Sequence, residues 1–187
     1  MTLERRRNLE GYIFLILFCL TIPAANWMIG HVGTACLPNG PCVLPVAPHM
    51  LAPSGVLMIG AALVLRDLVQ RRLGILFGVG AILVGALLSA AIAPPALVTA
   101  SAVAFLLSEF ADFVVYTPLA RRRLVTAVIA SSLVGLVVDS IVFLWLAFGS
   151  LQFLEGQVIG KAWMVLLATP LISYLRRRDE RLGLTPA

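Results

Sequence analysis

Read for apolar and polar positions, the chain alternates between long hydrophobic runs and short polar breaks. Six runs stand out, at residues 11–29, 50–70, 73–93, 96–117, 124–148 and 157–175. Each is roughly 20 residues long, which lets an α-helix cross a hydrocarbon core of about 30 Å. The pattern predicts one all-α domain of six transmembrane helices over residues 1–187, with no soluble domain beside it. The punctuation fits. Pro23 and Asn26 interrupt the second half of the first run, Pro53 stands near the start of the second, Pro118 ends the fourth, and Pro170 lies inside the sixth. Gly78, Gly80 and Gly85 in the uncharged third run would let another helix approach closely. Ala93-Pro94-Pro95 reads as a tight turn, and residues 30–49 and 149–156 as loops on the same side.

Composition agrees with this reading. Hydrophobic residues make up 60% and charged residues 12%, whereas a soluble domain is about half apolar and about a quarter charged. The net charge of +5 comes from arginines at the ends of runs: Arg5 to Arg7, Arg71 and Arg72, Arg121 to Arg123, and Arg176 to Arg178. With six passes, all four clusters fall on one side of the membrane. The positive-inside rule makes that side cytoplasmic and puts both termini there. A nucleic-acid partner would require a basic polar face instead. The first run is expected to be a retained helix, because Ala25-Asn26-Trp27 is a poor cleavage site. Trp27 and Trp163 fit an interfacial belt. The first outer loop contains Cys36 and Cys42 around Pro-Asn-Gly-Pro. A disulfide is the expectation in an oxidising compartment, with two free thiols as the alternative; Cys19 reads as a small core residue.

The chemistry lies in ionisable groups at membrane depth, which are expensive there unless partnered. Glu109 and Asp112 are three residues apart on one helix face, with Ser108 and Tyr116 beside it. Ser131, Gly135 and Asp139 step by four along the next helix, with Ser132 adjacent. Lys161, the chain's single lysine, shares a face with Gln157 and either snorkels outward or turns inward to Asp139. Asp112 has the alternative of reaching Arg121 to Arg123. Arg66 and Asp67, near the inner end of the second helix, read equally as a surface ion pair or as part of a site. Asn26 needs a partner wherever it is buried. Two positive charges against four negative ones favour a ligand bearing N–H donors or a positive charge. A flat heterocycle with an amidine-like edge suits a carboxylate, which accepts two hydrogen bonds side by side.

These residues are similar to a known family. Asn26, Arg66-Asp67, the run from Ser108 to Tyr116, the run from Ala130 to Ser140, Phe143 to Phe148, Gln157 and Lys161 together resemble the vitamin uptake transporter family. The resemblance implies a six-helix bundle like the substrate-binding components of energy-coupling-factor transporters. It also implies uptake of queuosine precursors, the 7-cyano and 7-aminomethyl forms of 7-deazaguanine, across a bacterial inner (plasma) membrane. Glu109, Asp139 and Asn26 would take the polar edge of the base and an aromatic side chain its face, with entry between the first, fifth and sixth helices. Asp112, Ser131, Ser132, Gln157, Lys161, Arg66 and Asp67 complete the candidate substrate-binding set. No cofactor or metal is expected, and a homodimer is left open. A transporter of another small vitamin or nucleobase, a membrane-embedded enzyme, and an accessory protein docking through its third helix are the competing readings.

Overall fold

The computed structural model describes residues 3–37, 40–93 and 95–183. It contains six α-helices: α1 (Leu3–His31), α2 (Val56–Leu73), α3 (Ile75–Ile92), α4 (Val98–Ala120), α5 (Leu124–Phe148) and α6 (Leu154–Leu182). Among the described residues, α1, α3, α4, α5 and α6 are long and apolar enough to cross a membrane. The helix that fails that test, α2, includes Arg66, Asp67, Arg71 and Arg72, all of them buried. It packs against each of the other five helices, so its polar groups face protein. The outer helices turn Leu76, Leu87, Phe110, Trp145 and Leu167 outward. So much exposed apolar surface is a liability in water and the expected state in lipid.

The all-α expectation needs one correction. Part of the first outer loop is an antiparallel sheet of three short strands in the order β1 (Ala35–Cys36), β2 (Cys42–Ala47) and β3 (Met50–Pro53). Cys36 and Cys42 face each other across β1 and β2 and are joined by a disulfide. The sheet caps one end of the bundle. Trp163 Nε1 donates to Val46 O at 2.9 Å, Ser54 Oγ donates to Met28 O at 2.7 Å, and Gly156 packs directly on the Leu51 backbone. Because Met50 to Pro53 pair with β2, the second helix starts at Val56 rather than at residue 50. Pro38 and Asn39 of the predicted turn, Pro94 of the next one, and residues 1–2 and 184–187 lie outside the described residues.

Other helix ends also move. α1 begins at Leu3 instead of residue 11, and α6 runs to Leu182 instead of residue 175. The charged ends that looked like loose tails are held by ion pairs. Glu10 takes Arg178 at 2.6 Å and Arg72 at 3.0 Å, and Asp179 accepts from both Arg71 and Arg72. Both chain ends therefore meet the end of α2 at the pole of the bundle opposite the sheet. α4 continues through Pro118 to Ala120, and the Thr117 hydroxyl donates to Phe113 O at 2.8 Å near the lost backbone bond. Of the three glycines expected to admit a neighbour, Gly85 lies against the Phe105 ring and Gly78 against Gln70, but Gly80 faces open space. A close approach to backbone occurs at Gly60, where an added Cβ would lie 2.7 Å from Lys161 O.

Burial raises the Asp179 carboxyl, but hydrogen bonds and charge from Arg72 and then Arg71 outweigh it and hold the group below the usual carboxylate range. A depressed folded value contributes stability above the unfolded pKa of about 3.9 and loses it as pH falls through the folded one. Thermal unfolding in detergent should therefore weaken as pH drops below about 4, and Asp179→Asn should lower stability at neutral pH while flattening that acid dependence. Gly60→Val should force α2 from α6 and cost about 1–3 kcal/mol, whereas Gly80→Ala should leave the unfolding temperature near wild type.

Candidate functional site

The face of α4 that turns inward is polar. Ser108, Glu109, Asp112 and Tyr116 recur every three or four residues and are buried, while Phe110 and Val114 between them are exposed. On α5, Ser131, Ser132, Gly135, Asp139 and Ser140 are likewise buried. Gly135 lets the two faces meet: a Cβ there would lie 3.1 Å from the Asp112 Cβ and 3.3 Å from Ser108 O. α2 lies across both helices and contributes Arg66, Asp67 and Gln70.

Arg66 is fully buried and its guanidinium is the hub of the first cluster. Nε donates to Glu109 Oε2 at 2.9 Å, Nη1 reaches Asp67 Oδ1 at 2.9 Å and Gln70 Oε1 at 3.2 Å, and Nη2 binds Asp112 Oδ1. The rings of Phe113 and Tyr116 flank it at 5.8 Å. Ser131 Oγ donates to Asp67 Oδ2 at 3.1 Å, and Gln70 Nε2 to Thr117 Oγ1 at 3.0 Å. Charge-assisted bonds of this kind are the strong ones. One guanidinium thus ties α2 to α4, and Asp67 carries the tie on to α5.

The second cluster lies nearer the sheet. Lys161 Nζ donates to Asp139 Oδ2 at 2.5 Å, to Ser140 Oγ at 2.8 Å and to Gln157 Oε1 at 2.8 Å. Ser108 Oγ lies 3.4 Å from Asp139 Oδ1. Unlike the Arg66 cluster, this one opens on a cavity. Asp139, Lys161 and Gln157 form one wall, Asn26 of α1 another, and Phe105 and Phe143 contribute aromatic surface. Ser89, Ser101 and the start of α2 complete the lining, so every helix contributes. Asn26 Nδ2 donates to Ile22 O at 3.0 Å, which leaves its side-chain oxygen as an acceptor.

The structure divides the candidate residues into two groups. Asn26, Asp139, Gln157 and Lys161 line the cavity. Arg66, Asp67, Glu109, Asp112 and Ser131 form the closed network, so Glu109 bonds Arg66 instead of standing with Asp139 and Asn26 on the cavity wall. Ser132 is buried with its hydroxyl unpartnered and lines no described cavity. Arg66 and Asp67 are not a surface pair, Asp112 binds Arg66 and not the Arg121 to Arg123 cluster, and Lys161 turns inward. Residue-by-residue reasoning missed Phe143, Ser101 and Phe105 as lining residues. A signal existed for each: Phe143 is four residues past Asp139, and Ser101, Phe105 and Ser108 step along the polar face of α4. Among the described residues, no group of three or more His, Cys, Asp and Glu is arranged to hold a metal ion.

A sequence model of the family described as "putative vitamin uptake transporter" matches residues 56–175, from the start of α2 into α6 and nearly two thirds of the chain. The match spans both polar clusters and leaves out α1 with Asn26 and the disulfide sheet. No curated protein and no solved structure matches the chain.

Arg66→Ala should be severely destabilising, by about 3–5 kcal/mol, because it strands three buried carboxyl groups. Arg66→Lys should recover only part of this, since an ammonium cannot reproduce the planar fork. Unfolding midpoints in detergent check both. Lys161→Met should also destabilise by leaving Asp139 unpaired, and adding Asp139→Asn should restore part of the loss. A coupling energy of about 0.5–3 kcal/mol is expected from that cycle.

Proposed function

The chain belongs to the vitamin uptake transporter family, and on that premise we propose that it imports a queuosine precursor, 7-cyano-7-deazaguanine or 7-aminomethyl-7-deazaguanine, in the cavity bounded by Asn26, Asp139, Gln157 and Lys161. The observation that carries this reading is the chemistry of one cavity. It sets a carboxylate, an ammonium and two carboxamides around an opening lined by Phe105 and Phe143. A deazaguanine has N1–H and a 2-amino group on one edge, a carbonyl oxygen beside them, and a flat aromatic face. Asp139 and the Asn26 oxygen suit the donors, Lys161 suits the carbonyl oxygen, and the phenylalanines suit the ring. A site built from a few convergent polar groups on apolar walls is the usual form of a small-molecule site.

In this reading all six helices cross a bacterial inner membrane, α2 doing so because its charges are sheltered by its neighbours. The arginine-rich pole and both termini are cytoplasmic, as the positive-inside rule expects. The cavity adjoins the disulfide-bonded sheet, so the base enters from the outer side. Lys161 and Asp139 satisfy each other while the site is empty, and the base replaces part of that pairing with its own donors and acceptor.

Binding of both deazaguanines to purified protein, measured by calorimetry, tests the proposal, and radiolabelled uptake into cells carrying the gene tests import. Asp139→Asn should weaken binding at least about tenfold, the equivalent of about 1.4 kcal/mol, and Asn26→Ala several-fold. Absence of binding by either base, or binding indifferent to Asp139, would rule out this substrate.

A further inference from the structure

The Arg66 cluster is set apart from the cavity wall, and its composition is unusual. Three carboxyl groups converge on one guanidinium at a depth where net charge is costly. Asp67 and Asp112 both reach the Arg66 guanidinium, and each keeps one buried oxygen, Asp67 Oδ1 and Asp112 Oδ2, that receives no hydrogen bond from a described donor. Three ionised carboxylates on one guanidinium would leave a buried net charge of two minus, and an ionised carboxylate is acceptor-only, so a proton held by the pair would both reduce that charge and give it a donor. These two unpartnered oxygens are where such a proton would sit. A metal cation fits poorly, because the guanidinium already occupies the space among the three carboxyl groups and repels a second positive charge.

The surroundings give the proton a route. Tyr116 packs its ring on Arg66, and its buried hydroxyl has no partner among the described residues. Tyr116, Gln70 and Thr117 also line a second cavity of about 380 Å³ at the arginine-rich pole, with Arg71, Arg121 and Arg122 at its rim. In the other direction Glu109 bonds Arg66, and the neighbouring Ser108 reaches Asp139 on the wall of the first cavity. The cluster therefore stands between the two cavities. The groups facing the Asp67–Asp112 pair are Arg66 from α2, Glu109 and Tyr116 from α4 and Ser131 from α5. Arg71, and Asp139 with its partner Lys161, stand one step further out. Among the described residues, α1 and α3 direct no titratable group at it.

We propose that the Asp67–Asp112 carboxyl pair is a proton-binding site whose proton is carried with the imported base; the coupling half of this rests on the import reading above. Protonation weakens the hold of Arg66 on Asp112, one of the bonds that keep α4 against α2 between the two cavities. The proton held in the empty protein leaves to the cytoplasmic cavity past Tyr116 as the base is released, and the pair takes up the next proton from the outer side.

Two measurements on the full chain decide it. Infrared spectroscopy of the protein without substrate should show a protonated-carboxyl carbonyl band persisting at neutral pH. That band should be lost in Asp67→Asn and in Asp112→Asn and retained in Asp139→Asn; if a substitution to Asn does not fold, Asp67→Glu should shift the band instead. In proteoliposomes supplied with radiolabelled 7-cyano-7-deazaguanine, a gradient of about one pH unit, alkaline inside, should raise accumulation about tenfold for one proton per base. Asp67→Asn should bind the base normally and lose that response. Absence of the band at neutral pH overturns the site, and so does its survival in both Asn variants. Accumulation driven by a sodium gradient, or a pH response unchanged in Asp67→Asn, overturns the coupling. If the base does not bind at all, the import reading fails while the infrared result still decides the proton.

Discussion

The bundle is arranged around a guanidinium that has no route to water. Arg66 is fully buried midway along the fold, and every polar atom of its side chain is engaged by α2 or α4. A buried ion pair adds little net stability over a well-packed apolar core, but breaking one partner away leaves a stranded charge. The constraint is therefore mostly one of position. α2 must sit at the centre, α4 must present Glu109 and Asp112 to it, and α5 must come close enough for Ser131 to reach Asp67. Gly135 is the residue that makes this last approach sterically available.

The same logic gives the second cluster a different outcome. Lys161 and Asp139 also neutralise each other below the surface, yet they do so on the wall of a cavity. Their neighbours there are carboxamides, hydroxyls and rings rather than further carboxyl groups. A pair in that setting can exchange one hydrogen bond for another without stranding a charge, whereas the Arg66 network cannot change without a proton or a helix movement. The two clusters are joined through adjacent residues of α4, since Ser108 touches Asp139 and Glu109 touches Arg66. The two clusters are thus one peptide unit apart along α4.

How much of this was legible varied with the kind of signal. Both limits of α5 could be read directly, because Arg123 and Gly149 interrupt an otherwise unbroken apolar run. The ends of α1 and α6 could not, because the pattern fades into charged residues whose partners, Glu10 with Arg178 and Asp179 with Arg72, are far apart in sequence. The strands were hidden because residues 30–49, with Pro45, read as loop and Met50 to Pro53 as the start of the second helix, and only the pairing of β2 with β3 shows otherwise. For the site, spacing identified the polar faces of α4 and α5 but not what stood opposite each. Arg66 read equally as part of a surface pair or of a site; the carboxyl groups of α4, more than forty positions away, are what make its burial tolerable.

The two poles of the bundle also bear on its orientation, by unrelated physics. One pole concentrates arginines, several locked onto Glu10 and Asp179. The other has a disulfide-bonded sheet held against α6 by Trp163. The first property favours the cytoplasm through the energetics of insertion, and the second favours an oxidising compartment through redox chemistry. Neither implies the other, and both support the same direction. The cavity with Asn26 and Asp139 lies toward the sheet, and ion pairs tie α1, α2 and α6 together at the pole beyond Arg66. The wall of that cavity combines carboxamides, hydroxyls and aromatic rings with the Lys161–Asp139 pair. Among the described lining residues Asp139 is the one carboxylate, and through Ser108 it is also the point where the cavity wall comes nearest the Arg66 network, so any exchange between the two clusters has to pass that side chain.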